Sequence, residues 1–196
     1  MARRLTAALA AVASLVLPAS IALGQADAVS EVAWFAKANV GFDPFGPGVA
    51  VGAGAGAALS IAGSPAEGAV SFYYSPSTDE YTDGGWQYTE TEQFFAMTAQ
   101  LNWLFPTDSA ITLVAGTGAI VASVSWEETN FLIADPAITN QDDGAFVASG
   151  LLLTAGAGLA ITDTIDLRLE VPVIMFFGDP PSFSLPIALS ALFTFG

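Results

Sequence analysis

Three charged side chains alternate with apolar residues near the C-terminal end of the chain, and they are the residues best placed to do chemistry. Asp166, Arg168 and Glu170 fall on one face of residues 165–171, and aliphatic side chains fall on the other. A period of two is typical of a β-strand whose two faces meet different environments. The charged face could select or gate a solute, or its charges could neutralise one another as ion pairs in a confined space.

The residue types that most enzymes need are missing. The chain contains no histidine and no cysteine, so Ser-His and Cys-His nucleophilic arrangements are impossible. Carboxylate pairs could still act as acid and base, but no spacing in the sequence argues for one. We therefore expect no enzymatic activity and no catalytic residues, and we expect no cofactor and no metal site.

The N-terminal segment predicts a cleavable secretory signal peptide over residues 1–26. A basic start at Arg3-Arg4 precedes an apolar run over residues 5–17, and small residues follow at Gly24 and Ala26, where a signal peptidase would cut. An uncleaved anchor is the alternative. The remainder, residues 27–196, is long enough for one domain.

The charge balance beyond the leader is strongly acidic. Lys37 and Arg168 are the only basic residues after Arg4, whereas the chain has 19 acidic residues. This balance excludes a nucleic-acid binder, which needs a basic surface. Only 12% of the residues are charged and 53% are apolar, yet no apolar run after the leader reaches the ~20 residues of a transmembrane helix. The apolar residues are therefore distributed through strands.

Alternation and turn residues predict eight strands and no helix after the leader. The predicted strands cover residues 31–42, 49–62, 69–75, 94–105, 110–126, 145–161, 165–177 and 182–195. Short turns are predicted at 63–68, 106–109 and 162–164, and long acidic loops at 76–92 and 127–144. Antiparallel strands would gather the short turns at one end and the longer loops at the other, as in transmembrane β-barrels.

The placement of charge favours lipid over water outside this sheet. The predicted strands other than the first and the seventh carry no charged residue. A lipid-facing exterior around a narrow, mildly polar interior fits that pattern, and it requires the last strand to pair with the first. We therefore predict an all-β fold, an eight-stranded antiparallel up-and-down transmembrane β-barrel in the bacterial outer membrane. A secreted soluble β-sandwich that binds a ligand is the alternative.

Two stretches resemble a known family. Residues 156–171, Gly-Ala-Gly-Leu-Ala-Ile-Thr-Asp-Thr-Ile-Asp-Leu-Arg-Leu-Glu-Val, resemble the penultimate hairpin of small eight-stranded outer-membrane barrels related to the outer-membrane protein A transmembrane domain. Residues 188–195, Ala-Leu-Ser-Ala-Leu-Phe-Thr-Phe, are similar to that family's aromatic C-terminal strand. The resemblance implies outer-membrane lipid, lipopolysaccharide and the barrel-assembly machinery as partners. Gly196 after the final Phe and the scarcity of basic residues depart from the family pattern.

Two groups of site residues follow from this fold. Lys37, Asp166, Arg168 and Glu170 are predicted to form a charge cluster in the lumen, and we favour a plug over a gate because eight strands enclose little beyond their own side chains. An aromatic belt at the membrane interface is predicted from residues in phase with the lipid face, namely Trp34, Trp103, Phe105 and Phe195.

The function that fits is structural. We expect a non-enzymatic barrel that supports envelope integrity or makes surface contacts through its acidic outer loops, whose carboxylates are also candidate ligands for divalent cations. A narrow channel for small or apolar solutes is the alternative.

Overall fold

The computed structural model describes residues 32–43, 48–178 and 180–195, and these residues form nine strands and no helix. The predicted signal peptide lies outside the described residues. Within the described ranges there is no helix with the length and apolarity to cross a membrane. The strands are β1 (Trp34–Asp43), β2 (Gly48–Ile61), β3 (Ser64–Asp83), β4 (Trp86–Pro106), β5 (Ile111–Leu132), β6 (Asp135–Thr162), β7 (Ile165–Phe177), β8 (Ser182–Ser184) and β9 (Ile187–Phe195).

The strands form one closed antiparallel ring. Each strand from β1 to β7 pairs with the next one along the chain. β8 and β9 both pair with β7 and occupy a single position in the ring, and β9 also pairs with β1 from Trp34↔Phe195 to Phe42↔Ile187. The predicted barrel of eight strand positions is therefore confirmed. The β-sandwich alternative is wrong, because one continuous sheet closes on itself.

Two prolines explain why the last strand is split in two. Pairing between β7 and its neighbour stops after Glu170↔Ala188 and resumes at Ile174↔Ser184, without a change of register. Pro172 and Pro186 lie in this gap. Since proline has no N–H to donate to a ladder, neither residue leaves an unpaired donor in the wall.

The exterior of the ring is apolar. On β1 exposed and buried side chains alternate strictly from Trp34 to Asn39. Leu167 and Leu169, which the sequence places on the lipid face, are 39% and 53% exposed, and Leu153 on β6 is 61% exposed. A continuous apolar surface of this kind would be far larger than the few hundred Å² that soluble monomers expose. It matches the lipid-facing band of a transmembrane barrel.

The prediction of two long loops is wrong, because both stretches continue the strands that flank them. Residues 76–92 belong to β3 and β4, which continue in register to a tight turn at Gly84-Gly85. Both glycines have positive φ, 57° and 85°, as a two-residue hairpin turn requires. Residues 127–144 likewise belong to β5 and β6.

These extensions form a four-stranded sheet that rises above the rest of the ring. We call residues 76–93 and 125–144 the outer wall. β2 pairs with β3 only as far as Val51↔Tyr74, and β7 pairs with β6 only as far as Ser149↔Phe177. The outer wall therefore stands on one side of the mouth, where the outermost parts of β3 and β6 are its two edges.

The predicted turn at residues 63–68 is also wrong in extent. The turn consists of Ala62 and Gly63, both with positive φ, and β3 begins at Ser64. Glu67, which the sequence analysis assigned to the turn, is a buried residue on the lumenal face of β3.

Glycines on the lumenal face of β2 allow large side chains to lie flat against the wall. A Cβ on Gly56 would overlap the Phe35 ring and the carbonyl oxygen of Gly68, and a Cβ on Gly52 would come within 2.9 Å of the Tyr73 ring. These glycines therefore do not leave empty space, because neighbouring side chains occupy it. Gly41 on β1 differs, because a Cβ at this position would have ordinary van der Waals contacts, the nearest being the Ile187 carbonyl oxygen at 3.6 Å.

A paired substitution tests this packing. We expect Gly56→Ala to lower the free energy of unfolding by about 1–3 kcal/mol, because the methyl group has no space beside Phe35. Gly41→Ala, a lumenal control on the adjacent strand, should change it by less than about 0.5 kcal/mol. The measurement is urea unfolding in detergent micelles, followed by the gel shift between heated and unheated protein. Equal losses for the two variants would contradict the packing.

Candidate functional site: the lumen and its outer mouth

Two ion pairs lie in the part of the lumen nearer the short turns, one between β1 and β7, which flank β9, and one between β3 and β7. Lys37 on β1 donates from Nζ to Glu170 Oε2 on β7 at 2.5 Å, and Arg168 on β7 donates to Glu67 Oε1 on β3. Lys37 and Arg168 are each 5% exposed, and both glutamates are buried. We call these four residues the plug. Because each buried charge has an opposite partner, the plug is electrically neutral.

Polar neighbours contact the carboxylates of the plug. Asn102 Nδ2 donates to Glu67 Oε1 at 3.0 Å. The Ser190 hydroxyl lies 2.9 Å from both Glu170 Oε2 and Asn39 Oδ1. These contacts supply hydrogen bonds to the two carboxylates, which buried ions need in addition to a counter-charge.

The structure brings together most of the predicted lumen cluster. Lys37, Arg168 and Glu170 are in the plug, whereas Asp166 lies at its margin, 4.0 Å from Arg168 with a side chain that is 36% exposed. Glu67 is the member that the sequence analysis missed. The alternation along β3 could have revealed it, because Glu67 is an odd-numbered residue like Ala69, Ser71 and Tyr73, and the odd-numbered residues of this strand face the lumen.

A cavity lies between the plug and the outer mouth. Its volume is about 870 Å³, and none of the four plug residues lines it. We call this cavity the cup. Apolar side chains from β4, β5, β6 and β7 form most of its wall, including Phe94, Ala96, Ile120, Ala122, Trp126, Phe146, Leu152 and Ile174. Thr98 and Gln100 line its inner end, and Asp79, Glu90 and Glu92 line its outer rim.

The register between neighbouring strands decides which side chains line the cup, and Trp126 on β5 is an example. The face of the sheet on which Trp126 lies depends on the pairing of β5 with both of its neighbours. The pairing Glu92↔Trp126↔Gly144 is regular, and the only irregularity between β5 and β6 is at Phe131 and Leu132. Trp126 therefore lies on the lumenal face, where the absence of a side chain on Gly144 makes space for its ring.

Four carboxylates form one row across the outer wall. The register Asp79↔Glu90↔Glu128↔Asp142 places one acid on each of β3, β4, β5 and β6, on the lumenal face. Partial burial raises the pKa of the Glu92 carboxyl, and the nearby charges of Glu90 and Asp79 raise that pKa further. Like charges directly opposite each other destabilise a sheet, so this row is an unfavourable arrangement that the wall maintains.

The predicted aromatic belt residues lie together at the short-turn end of the barrel. Trp34 is paired directly with Phe195 at the seam between β1 and β9. Trp103 and Phe105 lie near the end of β4, and Phe105 is exposed on the outside. Their role as an interfacial belt stays a prediction.

The chemistry available to these groups is limited. Within the part of the chain that the structure describes, no group of three or more acidic side chains is arranged to hold a metal ion. The plug neutralises its own charges, and the cup offers apolar surface with acids at its rim. The arrangement can therefore block the lumen or bind a molecule within it.

Comparison with known proteins supports the fold. No protein-family model matches the chain, and no curated protein matches it. The structure is similar to a major outer membrane protein from Thermus thermophilus, with a TM-score of 0.65, 14% identity, and coverage of 85% of this chain and 100% of that one. It is also similar to the N-terminal β-barrel domain of Pseudomonas aeruginosa OprF, with a TM-score of 0.54, 13% identity, and coverage of 83% and 97%. The chain has the fold of small outer-membrane β-barrels.

The plug predicts a specific pattern of stability. Lys37→Met removes the ammonium and leaves Glu170 buried without a counter-charge, so we expect a loss of about 3–5 kcal/mol in the free energy of unfolding. Lys37→Met combined with Glu170→Gln removes both charges and should recover much of that loss. Urea unfolding of both variants and of Glu170→Gln alone gives the coupling energy. If the double variant is as unstable as Lys37→Met, the two side chains do not act as a pair.

Proposed function

We propose that this protein is a non-enzymatic barrel of the bacterial outer membrane whose lumen is closed to solutes and whose outer wall makes contacts at the cell surface. The observation that carries this proposal is the plug. Two ion pairs between buried side chains occupy the lumen: Lys37–Glu170 joins β1 to β7 over the intervening β9, and Arg168–Glu67 joins β7 to β3 across the barrel. Opening a path through them would require uncovering or separating charges in a narrow, weakly polar space.

The outer wall supports the surface role. Hairpins that carry most of the exposed acids stand at the end opposite the short turns, and in outer-membrane barrels the longer connections face outward. Tyr81 and Tyr88 stack near the β3–β4 turn with ring centroids 4.7 Å apart and an interplanar angle of 5°. Regular pairing and stacking give the wall a defined shape, which suits a role in contact or envelope integrity.

The partners follow from the two surfaces. Outer-membrane lipid and lipopolysaccharide would cover the apolar exterior, and the barrel-assembly machinery would read the aromatic residues of β9. Divalent cations are proposed as counter-ions that link the carboxylates of the wall to lipid phosphates.

A narrow channel is the second candidate, and the cup favours it because this cavity already occupies the outer part of the lumen. Conductance separates the two functions. In planar bilayers we expect no single-channel steps from the purified protein, because the plug closes the inner half of the lumen. A general porin inserted into the same bilayers is the control for the measurement. Reproducible steps would overturn the closed-lumen proposal in favour of the channel.

Cysteine labelling tests the orientation of the wall. The chain has no native cysteine, so Thr82→Cys in the outer wall and Asp108→Cys in a short turn each introduce a unique thiol. We expect a membrane-impermeant maleimide to label Thr82→Cys on intact cells, and to label Asp108→Cys only after the outer membrane is permeabilised. The reverse pattern would mean that the outer wall faces the periplasm.

A further inference from the structure

The cup has the dimensions and lining of a small-molecule site. Its volume of about 870 Å³ is within the range of ligand pockets, roughly 300–1,000 Å³. Apolar side chains from four consecutive strands form its wall. Ile120 and Leu152 pack into a buried cluster behind it, whereas Phe94, Trp126 and Phe146 keep accessible surface in the cavity. Because the plug lies beneath the cup, a molecule that enters from the outside meets the plug residues beyond the inner end of the cavity.

The only charges on the lining of this cavity are negative. Asp43, Asp79, Glu90 and Glu92 line the cup, and no basic residue does. Lys37 and Arg168, the only basic residues in the described chain, are both engaged in the plug. Low-dielectric walls around charges of one sign focus the field at a cleft. The mouth of the cup therefore attracts cations and repels anions.

The register of the wall strengthens this field. Glu90 and Asp79 are two of the four acids in the carboxylate row, and Glu128 and Asp142 continue it on the same face. A positively charged group over this row would reduce the repulsion between neighbouring strands. A ligand that suits both features would place an apolar chain inside the cup and a positive charge at its acidic rim.

We propose that the cup binds a small amphiphile with an apolar chain and a cationic head, such as an alkylammonium. The chain packs against Phe94, Trp126 and Phe146, which line the cup and are at least partly exposed. The head lies between Asp79, Glu90 and Glu92. This ligand site goes beyond the proposed function and does not depend on whether the lumen conducts. An anionic amphiphile with the same chain would place its head among carboxylates, and a head group alone would bury no apolar surface.

Calorimetric titration of the full chain in phosphatidylcholine nanodiscs tests the proposal. The probes are decyltrimethylammonium, decyl sulfate and tetramethylammonium, and empty nanodiscs provide the correction for partition into lipid. We expect saturable binding of one decyltrimethylammonium per barrel, at least tenfold tighter than decyl sulfate, and no saturable binding of tetramethylammonium. Equal affinity for the two decyl probes, or no saturable binding of either, would overturn the proposal.

Two sets of variants locate the site. Glu90→Gln with Glu92→Gln, both outside the membrane-spanning part, should weaken decyltrimethylammonium binding by about tenfold and leave decyl sulfate unchanged or improved. Ala148→Trp fills the cup and should abolish binding, whereas Ala145→Trp on the opposite face of β6 should not. The gel shift on heating verifies that each barrel is folded. Unchanged binding in the double glutamine variant contradicts the proposed site, and so does unchanged binding in a folded Ala148→Trp barrel.

Discussion

The structure depends on one constraint, which is that a strand surrounded by hydrocarbon must hydrogen-bond to a neighbour on both sides. The pairing between β1 and β9 satisfies this constraint for the whole ring, because without it two edges would be exposed to lipid. The same constraint explains the position of Pro172 and Pro186. They interrupt the ladder at facing positions, so the gap contains no N–H group from either residue that would need an acceptor.

Closure has a second consequence, since it creates a narrow interior in which charge must be balanced. The chain has two basic residues after its first four, and both are in the lumen. Each is matched by one buried glutamate, Glu170 for Lys37 and Glu67 for Arg168. Among the residues that the structure describes, most of the other acids lie at the turns and on the outer wall, where water can solvate them. The strong acidity of the chain is therefore compatible with a membrane fold.

The sequence predicted what depends on local alternation. The bounds of β7 agree with the prediction at residues 165–177, because charged and apolar residues alternate through its first half without interruption. The outer parts of β3 to β6 were missed, since both faces of these hairpins are polar and the alternation disappears. Glu67 was missed for a different reason. Its position between Pro65 and Gly68 resembles a turn, and its partner Arg168 is 101 residues away, which no local pattern can reveal.

The outer wall makes the mouth of the barrel asymmetric in both height and charge. A flexible loop would let its carboxylates move apart into water, whereas a paired sheet holds Asp79, Glu90 and Glu128 at neighbouring positions and maintains their repulsion. That repulsion is a cost to folding, and the apolar cup lies directly beneath it. An array of like charges held by strand pairing beside a preformed cavity requires little reorganisation when a cation arrives, and preorganisation of this kind lowers the cost of binding. The continuation of β3 to β6 beyond the rest of the ring is thus what would give the barrel a surface with chemical selectivity.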